Sequence, residues 1–206
     1  MNHTLNIKYA GAPLDKASKA LIMLHGRGAT AESILSLSDH LKVQGYALLA
    51  PQATNNTWYP YSFMASVDEN EPWLSSAIEI VNQTVDKVKE SGIATENIYF
   101  LGFSQGACLA IEYTTRHAQK YGGVAVLTGG LIGDEINMNN YSGDFEQTPI
   151  FFGTSDPDFH VPVERVKASA SIAREMNANV TEKVYENRGH TISEDEIEIV
   201  NSLMFK

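Results

Sequence analysis

The chain has 206 residues, 43% of them hydrophobic and 19% charged, which is enough apolar matter for one domain with a sizeable core and too little charge for a disordered chain. Fifteen lysines and arginines stand against 25 aspartates and glutamates, a formal charge of −10; this balance repels phosphate backbones and anionic headgroups, so no nucleic-acid partner is expected. No apolar run approaches the roughly 20 residues that cross a bilayer, the single cysteine, Cys108, cannot close an internal disulfide, and the first ten residues lack the basic start and apolar stretch of a secretory leader, so a cytoplasmic location is expected.

Along the chain, short apolar runs alternate with amphipathic stretches, without repeat or linker. This is the pattern of an α/β domain, here spanning residues 1–206 with no separate cap. Strands are expected at 5–9, 20–24 and 46–50. After a stretch at 52–71 with no clear period comes a helix whose apolar stripe is Leu74, Ala77, Ile78, Val81, Val85 and Val88; Pro72 opens it and Gly92 follows its end. A strand at 98–102 leads directly into a helix from Ala107, and another strand is expected at 123–127. Residues 128–147 again resist assignment, and unassigned stretches of this length are usually functional or mobile. A strand at 149–152, a helix with Val163, Val166, Ala170 and Ala173 on one face, and a strand at 180–185 follow. Ser193 and Glu196 then form a capping box before Ile197, Val200, Leu203 and Met204. The sum is a doubly wound, mostly parallel sheet of about seven strands with helices on both faces; several runs are apolar throughout, as strands buried on both sides are.

Gly102-Phe103-Ser104-Gln105-Gly106 is a G-x-S-x-G pattern set between a strand and a helix. That setting is what a nucleophile elbow needs: a sharp turn that strains the serine backbone, and glycines that let strand and helix approach. A serine hydroxyl also needs a base to take its proton and a carboxylate to orient the base. His190 lies in the late loop between the last strand and the capped helix, whereas His3, His40 and His117 read as solvated surface. The carboxylate should come from the end of a strand between the two. Asp156 is the choice and Asp158 its competitor, and the order Ser104, Asp156, His190 is the one α/β hydrolases use. An oxyanion hole is expected from the N–H of Gln105 and from Arg27, in the turn His25-Gly26-Arg27-Gly28 that follows an early strand. That turn has neither the glycine fingerprint of a dinucleotide loop nor the lysine of a P-loop.

Together, His25-Gly26-Arg27-Gly28, Ala50-Pro51, the G-x-S-x-G elbow, the segment from Asp156 to Pro162 and Gly189-His190 resemble the phospholipase/carboxylesterase family of small α/β hydrolases, which includes the acyl-protein thioesterases. The likeness covers nearly the whole chain. It implies an α/β-hydrolase fold and a serine hydrolase of small-molecule esters or thioesters, with no metal or organic cofactor. It places nucleophile, acid and base on Ser104, Asp156 and His190. Two aspartates precede the Val161-Pro162 pair: counting from Gly153 favours Asp156, and counting back from Val161 favours Asp158. The loop with Trp58, Tyr59, Pro60, Tyr61 and Phe63 resembles bacterial esterases more than thioesterases acting on lipidated proteins. Trp58, Tyr59, Tyr61, Phe63 and Met64, too apolar for a free loop, either pack on the sheet or bind substrate, and His160 is a further candidate contact.

The expected function is ester hydrolysis through an acyl-enzyme on Ser104, with acyl-thioester cleavage as a close variant. Two other classes compete. A ligand-binding homologue would keep the fold without the chemistry, against which the complete triad argues. A metal hydrolase would draw on His25, His160, His190 and the two aspartates, but no H-E-x-x-H or comparable ligand spacing is present.

Overall fold

A computed structural model describes residues 2–205. The apolar runs become seven strands: β1 (Ile7–Gly11), β2 (Ala20–Leu24), β3 (Ala47–Pro51), β4 (Ile98–Phe103), β5 (Gly123–Leu127), β6 (Pro149–Asp156) and β7 (Asn179–Glu186). They form one sheet in the order β1-β3-β2-β4-β5-β6-β7. β1 pairs antiparallel with β3, and every other pair is parallel. Each residue of β2, β3 and β5 is buried, which is why these runs show no polar alternation.

Helices cover both faces. α3 (Trp73–Glu90), α4 (Gln105–Arg116) and α5 (Val163–Glu175) lie on one; the short α1 (Ala31–Leu35) and α6 (Glu194–Leu203) lie on the other, and α2 (Val67–Asn70) is a single turn in the 52–71 stretch. The strand residues divide by the pleat. Ala20, Ile22 and Leu24 of β2 join the core under α3 and α4, while Leu21 and Met23 join the core under α1 and α6, as side chains alternating across a strand must. The α6 capping box forms as expected, with Ser193 accepting from the Glu196 N–H. The stripe of α3 is displaced by one flank: Ile80 is buried in place of Ile78, which is only partly covered.

Two differences bear on the site. β6 runs to Asp156, four residues beyond its expected end, because β7 pairs with it without interruption from Pro149↔Asn179 to Asp156↔Glu186. The stretch 52–71 is ordered without periodicity: Trp58 and Tyr59 are buried within it, held by hydrogen bonds from distant residues.

Candidate active site

The parallel strands of the centre end together on one edge, and the loops leaving them carry the chemistry, the usual position for a site in an open α/β sheet. Between β4 and α4, Ser104 has φ 55° and ψ −120°, a left-handed conformation that a serine adopts only when its surroundings impose it. Here the Ser104 N–H donates to the Leu127 carbonyl (3.0 Å), and the Ser104 carbonyl accepts from the Cys108 N–H (3.0 Å). A Cβ on Gly106 would collide with the Leu24 carbonyl, and one on Gly102 with the Gly106 carbonyl. Both glycines are therefore required by close packing of strand on helix.

Ser104 Oγ lies 2.8 Å from His190 Nε2, and His190 Nδ1 lies 2.8 Å from Asp158 Oδ2. A carboxylate can only accept, so Nδ1 carries the proton and Nε2 is free to receive the one on Ser104. The partner is Asp158, not Asp156. With β6 extended, Asp156 is its last residue, exposed, its backbone carbonyl taken by the Asn187 N–H. The chain turns only after it, which carries Asp158 behind the His190 ring. The other oxygen of Asp158, Oδ1, accepts from the N–H groups of His160 (2.8 Å) and Val161 (3.0 Å). Burial pushes this carboxyl up, but those two N–H groups and the His190 ring together outweigh it and hold Asp158 below the ordinary aspartate value.

The His190 loop is fixed from the sheet side. Ser155, buried next to the end of β6, accepts from the N–H groups of Arg188 and Gly189 (3.0 Å each) and donates to the Tyr185 carbonyl. The Arg188 guanidinium reaches Ser193 and Glu196 at the head of α6 and stacks over Tyr185. No sequence pattern marks Ser155. Its position beside the acid loop is the only signal, and it becomes legible only once β6 is known to continue past Phe152.

Gln105 opens α4, so its N–H is one of the four that a helix start leaves without an intrahelical partner. The Arg27 N–H likewise meets no acceptor among the described residues. Both border the cavity above Ser104. Their side chains point elsewhere, onto the loop that builds the cavity wall. Gln105 accepts from the Trp58 N–H (2.9 Å) and donates to the Tyr59 carbonyl (2.8 Å). The Arg27 guanidinium donates to the carbonyls of Pro60 (2.8 Å) and Tyr61 (2.5 Å).

The cavity measures about 420 Å³ and is lined by Tyr59, Tyr61, Phe63, Cys108, His160 and Val161 around Ser104 and His190. Tyr59, Tyr61 and Phe63 thus line the cavity beside Ser104, and the His160 ring sits 5.0 Å from that of His190. Trp58 and Met64 do not. Trp58 is fully buried behind the wall, its indole N–H donated to the His25 carbonyl (2.9 Å), and Met64 packs against the core. Its indole needed an acceptor on burial, and His25 supplies it away from the cavity. Cys108, one turn into α4, lies in the floor, where burial pushes its thiol up to about 12. His3, expected at the surface, is buried against Trp58 and Trp73. His40 and His117 are exposed. Among the described residues no three or more His, Cys, Asp or Glu side chains gather as metal ligands would, and no helix is long and apolar enough to cross a membrane.

The model of one family, described as phospholipase/carboxylesterase, matches residues 6–205. A crystal structure of a phospholipase/carboxylesterase from Dyadobacter fermentans superposes with a TM-score of 0.99 at 54% identity, covering 100% of this chain and 99% of that one. Among curated sequences, acyl-protein thioesterase 1 of Saccharomyces cerevisiae is 28% identical over 95% of either chain. The probable carboxylesterase SOBER1-like of Arabidopsis thaliana is 26% identical over 88% of this chain and 76% of its own.

Proposed function

Because the chain belongs to the phospholipase/carboxylesterase family, we propose that it is a serine hydrolase that cleaves carboxylic esters through an acyl-enzyme on Ser104, with Asp158 and His190 completing the triad. The observation that carries this reading is the unbroken relay from Ser104 Oγ through His190 to Asp158, 2.8 Å at each step. His190 Nε2 takes the hydroxyl proton as Oγ attacks the carbonyl carbon, and Asp158 holds the imidazolium that forms. The developing oxyanion accepts from the N–H groups of Arg27 and Gln105, a role supported by their lining the cavity and having no acceptor of their own among the described residues. His190 then returns its proton to the departing alcohol. In the second half it takes a proton from water as the water oxygen adds to the acyl carbon, and passes that proton to Ser104 Oγ as the C–Oγ bond breaks and the acid leaves. No step calls on a group beyond these residues and water.

A thioester would pass through the same steps with a thiol leaving, and the yeast relative named an acyl-protein thioesterase supports testing it. The cavity, about 420 Å³ with Phe63, Tyr59 and Val161 among its lining residues, favours short to medium acyl groups. The chain acts as one catalytic unit, since its sheet takes strands from Ile7 through Glu186.

The test is covalent labelling by a fluorophosphonate together with hydrolysis of p-nitrophenyl esters and matched thioesters. The wild type is expected to label at Ser104 and to turn over short esters. Ser104→Ala should lose both while keeping its circular dichroism, because alanine fills the same space. Retained turnover or labelling in that variant would overturn the assignment.

A further inference from the structure

Two buried imidazoles grip consecutive N–H groups at the start of the cavity-wall loop. The Ala53 N–H donates to His25 Nε2 and the Thr54 N–H to His3 Nδ1, each at 3.1 Å. An accepting ring nitrogen must be bare, so the two neutral rings hold opposite tautomers. His25 carries its proton on Nδ1 and donates to the Gly26 carbonyl (2.8 Å). His3 carries its proton on Nε2 and donates to the Trp58 carbonyl (2.8 Å). In a trans peptide the carbonyl and the following N–H point opposite ways. Drawing the Gly26 carbonyl onto the His25 ring therefore turns the Arg27 N–H away from it. Trp58 closes the circuit: its own N–H is on Gln105 and its indole N–H on the His25 carbonyl.

We propose that His3 is a positioning residue for the oxyanion site, acting through Thr54 and Trp58 on the segments that carry Arg27 and Gln105. The inference rests on the serine-hydrolase reading above and assigns that site a residue about a hundred positions before the nucleophile. A plug between Trp58 and Trp73 would need only an aromatic ring. His3 instead spends both ring nitrogens on one loop, and its backbone N–H is tied to Ser76 Oγ of α3 (2.8 Å), which anchors the ring against the far side of the core.

His3→Phe keeps the ring and removes both hydrogen bonds, whereas His3→Gln restores one acceptor and one donor. A second route leaves His3 intact: Thr54→Pro deletes the donated N–H at the first residue of a 3-10 turn, where the preceding Ala53 already has the extended ψ of 138° that proline requires. On short p-nitrophenyl esters, His3→Phe and Thr54→Pro are expected to lower kcat by about tenfold with KM changed less than about twofold. Inhibition by a boronic acid, which presents a tetrahedral oxygen to the same N–H groups, should weaken in the same proportion, and His3→Gln should regain most of both. If His3→Phe or Thr54→Pro is folded and loses melting temperature while kcat and boronate inhibition stay at wild-type values, the role is structural and the proposal fails. A wild type that does not label at Ser104 overturns the hydrolase reading itself, a result distinct from either.

Discussion

Asp156 and Asp158 are two residues apart, and what separates them is the length of β6. From sequence, Gly153-Thr154-Ser155 reads as the end of a strand, because glycine and small polar residues punctuate turns. In the fold these three residues continue the ladder to β7, a pairing between distant segments that no local pattern reveals. Counting back from Val161-Pro162 gave the residue that meets His190, since that pair is anchored at the start of α5. Asp158→Asn is expected to lower kcat by about 10⁴, as loss of the orienting carboxylate does in serine hydrolases. Asp156→Asn, at an exposed side chain, should remain within about twofold of wild type. Steady-state kinetics on one ester with both variants checks the ranking, and the reverse order would show that the relay seen here is not the working one.

The long regular elements were legible because apolar runs and stripes announce them: all seven strands overlap the runs that predict them, β1 two residues later and β6 four residues longer than expected, while the short α1 (Ala31–Leu35) left no such signal. The elbow was legible because its glycines are a steric demand of β4 packing on α4. The 52–71 stretch was not, since Gln105, Arg27, His3 and His25 order it through backbone groups, one bond at a time, and such bonds leave no period. Its aromatic content signalled a wall but not which rings face inward, so nothing in the sequence separates Trp58, packed behind the wall, from Tyr59, Tyr61 and Phe63, which line it. Phe63→Ala should shift the acyl-chain optimum toward longer esters. Trp58→Ala should instead destabilise the protein by about 3–5 kcal/mol, read as a lowered denaturation midpoint. At the other end of the site, Ser155→Ala leaves the N–H groups of Arg188 and Gly189 without their acceptor. A loss of about 1–3 kcal/mol and a fall in kcat from a loosened His190 loop are expected together; unchanged kcat would show that α6 alone holds the loop.

For the whole molecule, acid below neutrality is destabilising. Burial lowers the His3 and His25 imidazoles below their ordinary 6.5, so between that value and the lower folded ones the unfolded chain binds more protons. Stability from this source is complete above about pH 6.5 and is lost as pH falls through the folded values. Asp158, held below its ordinary value, extends the loss further into acid, for its contribution disappears only as pH falls through the carboxylate range. A melting temperature flat between about pH 7 and 8 and falling below about 6.5 is expected, with a shallower fall between pH 6.5 and 5 in His3→Gln; an equal fall would remove His3 from the account. Under the nucleophile, meanwhile, lies the chain's single thiol, sealed in the cavity floor and pushed up to about 12. At neutral pH it is protonated and almost wholly covered, at 1% exposure, so the folded protein is expected to show no reaction with maleimide, iodoacetamide or Ellman's reagent. A cysteine introduced anywhere on the surface would then be the one attachment point, and the native chain already serves as a blank for site-directed fluorophores, spin labels or surface tethering.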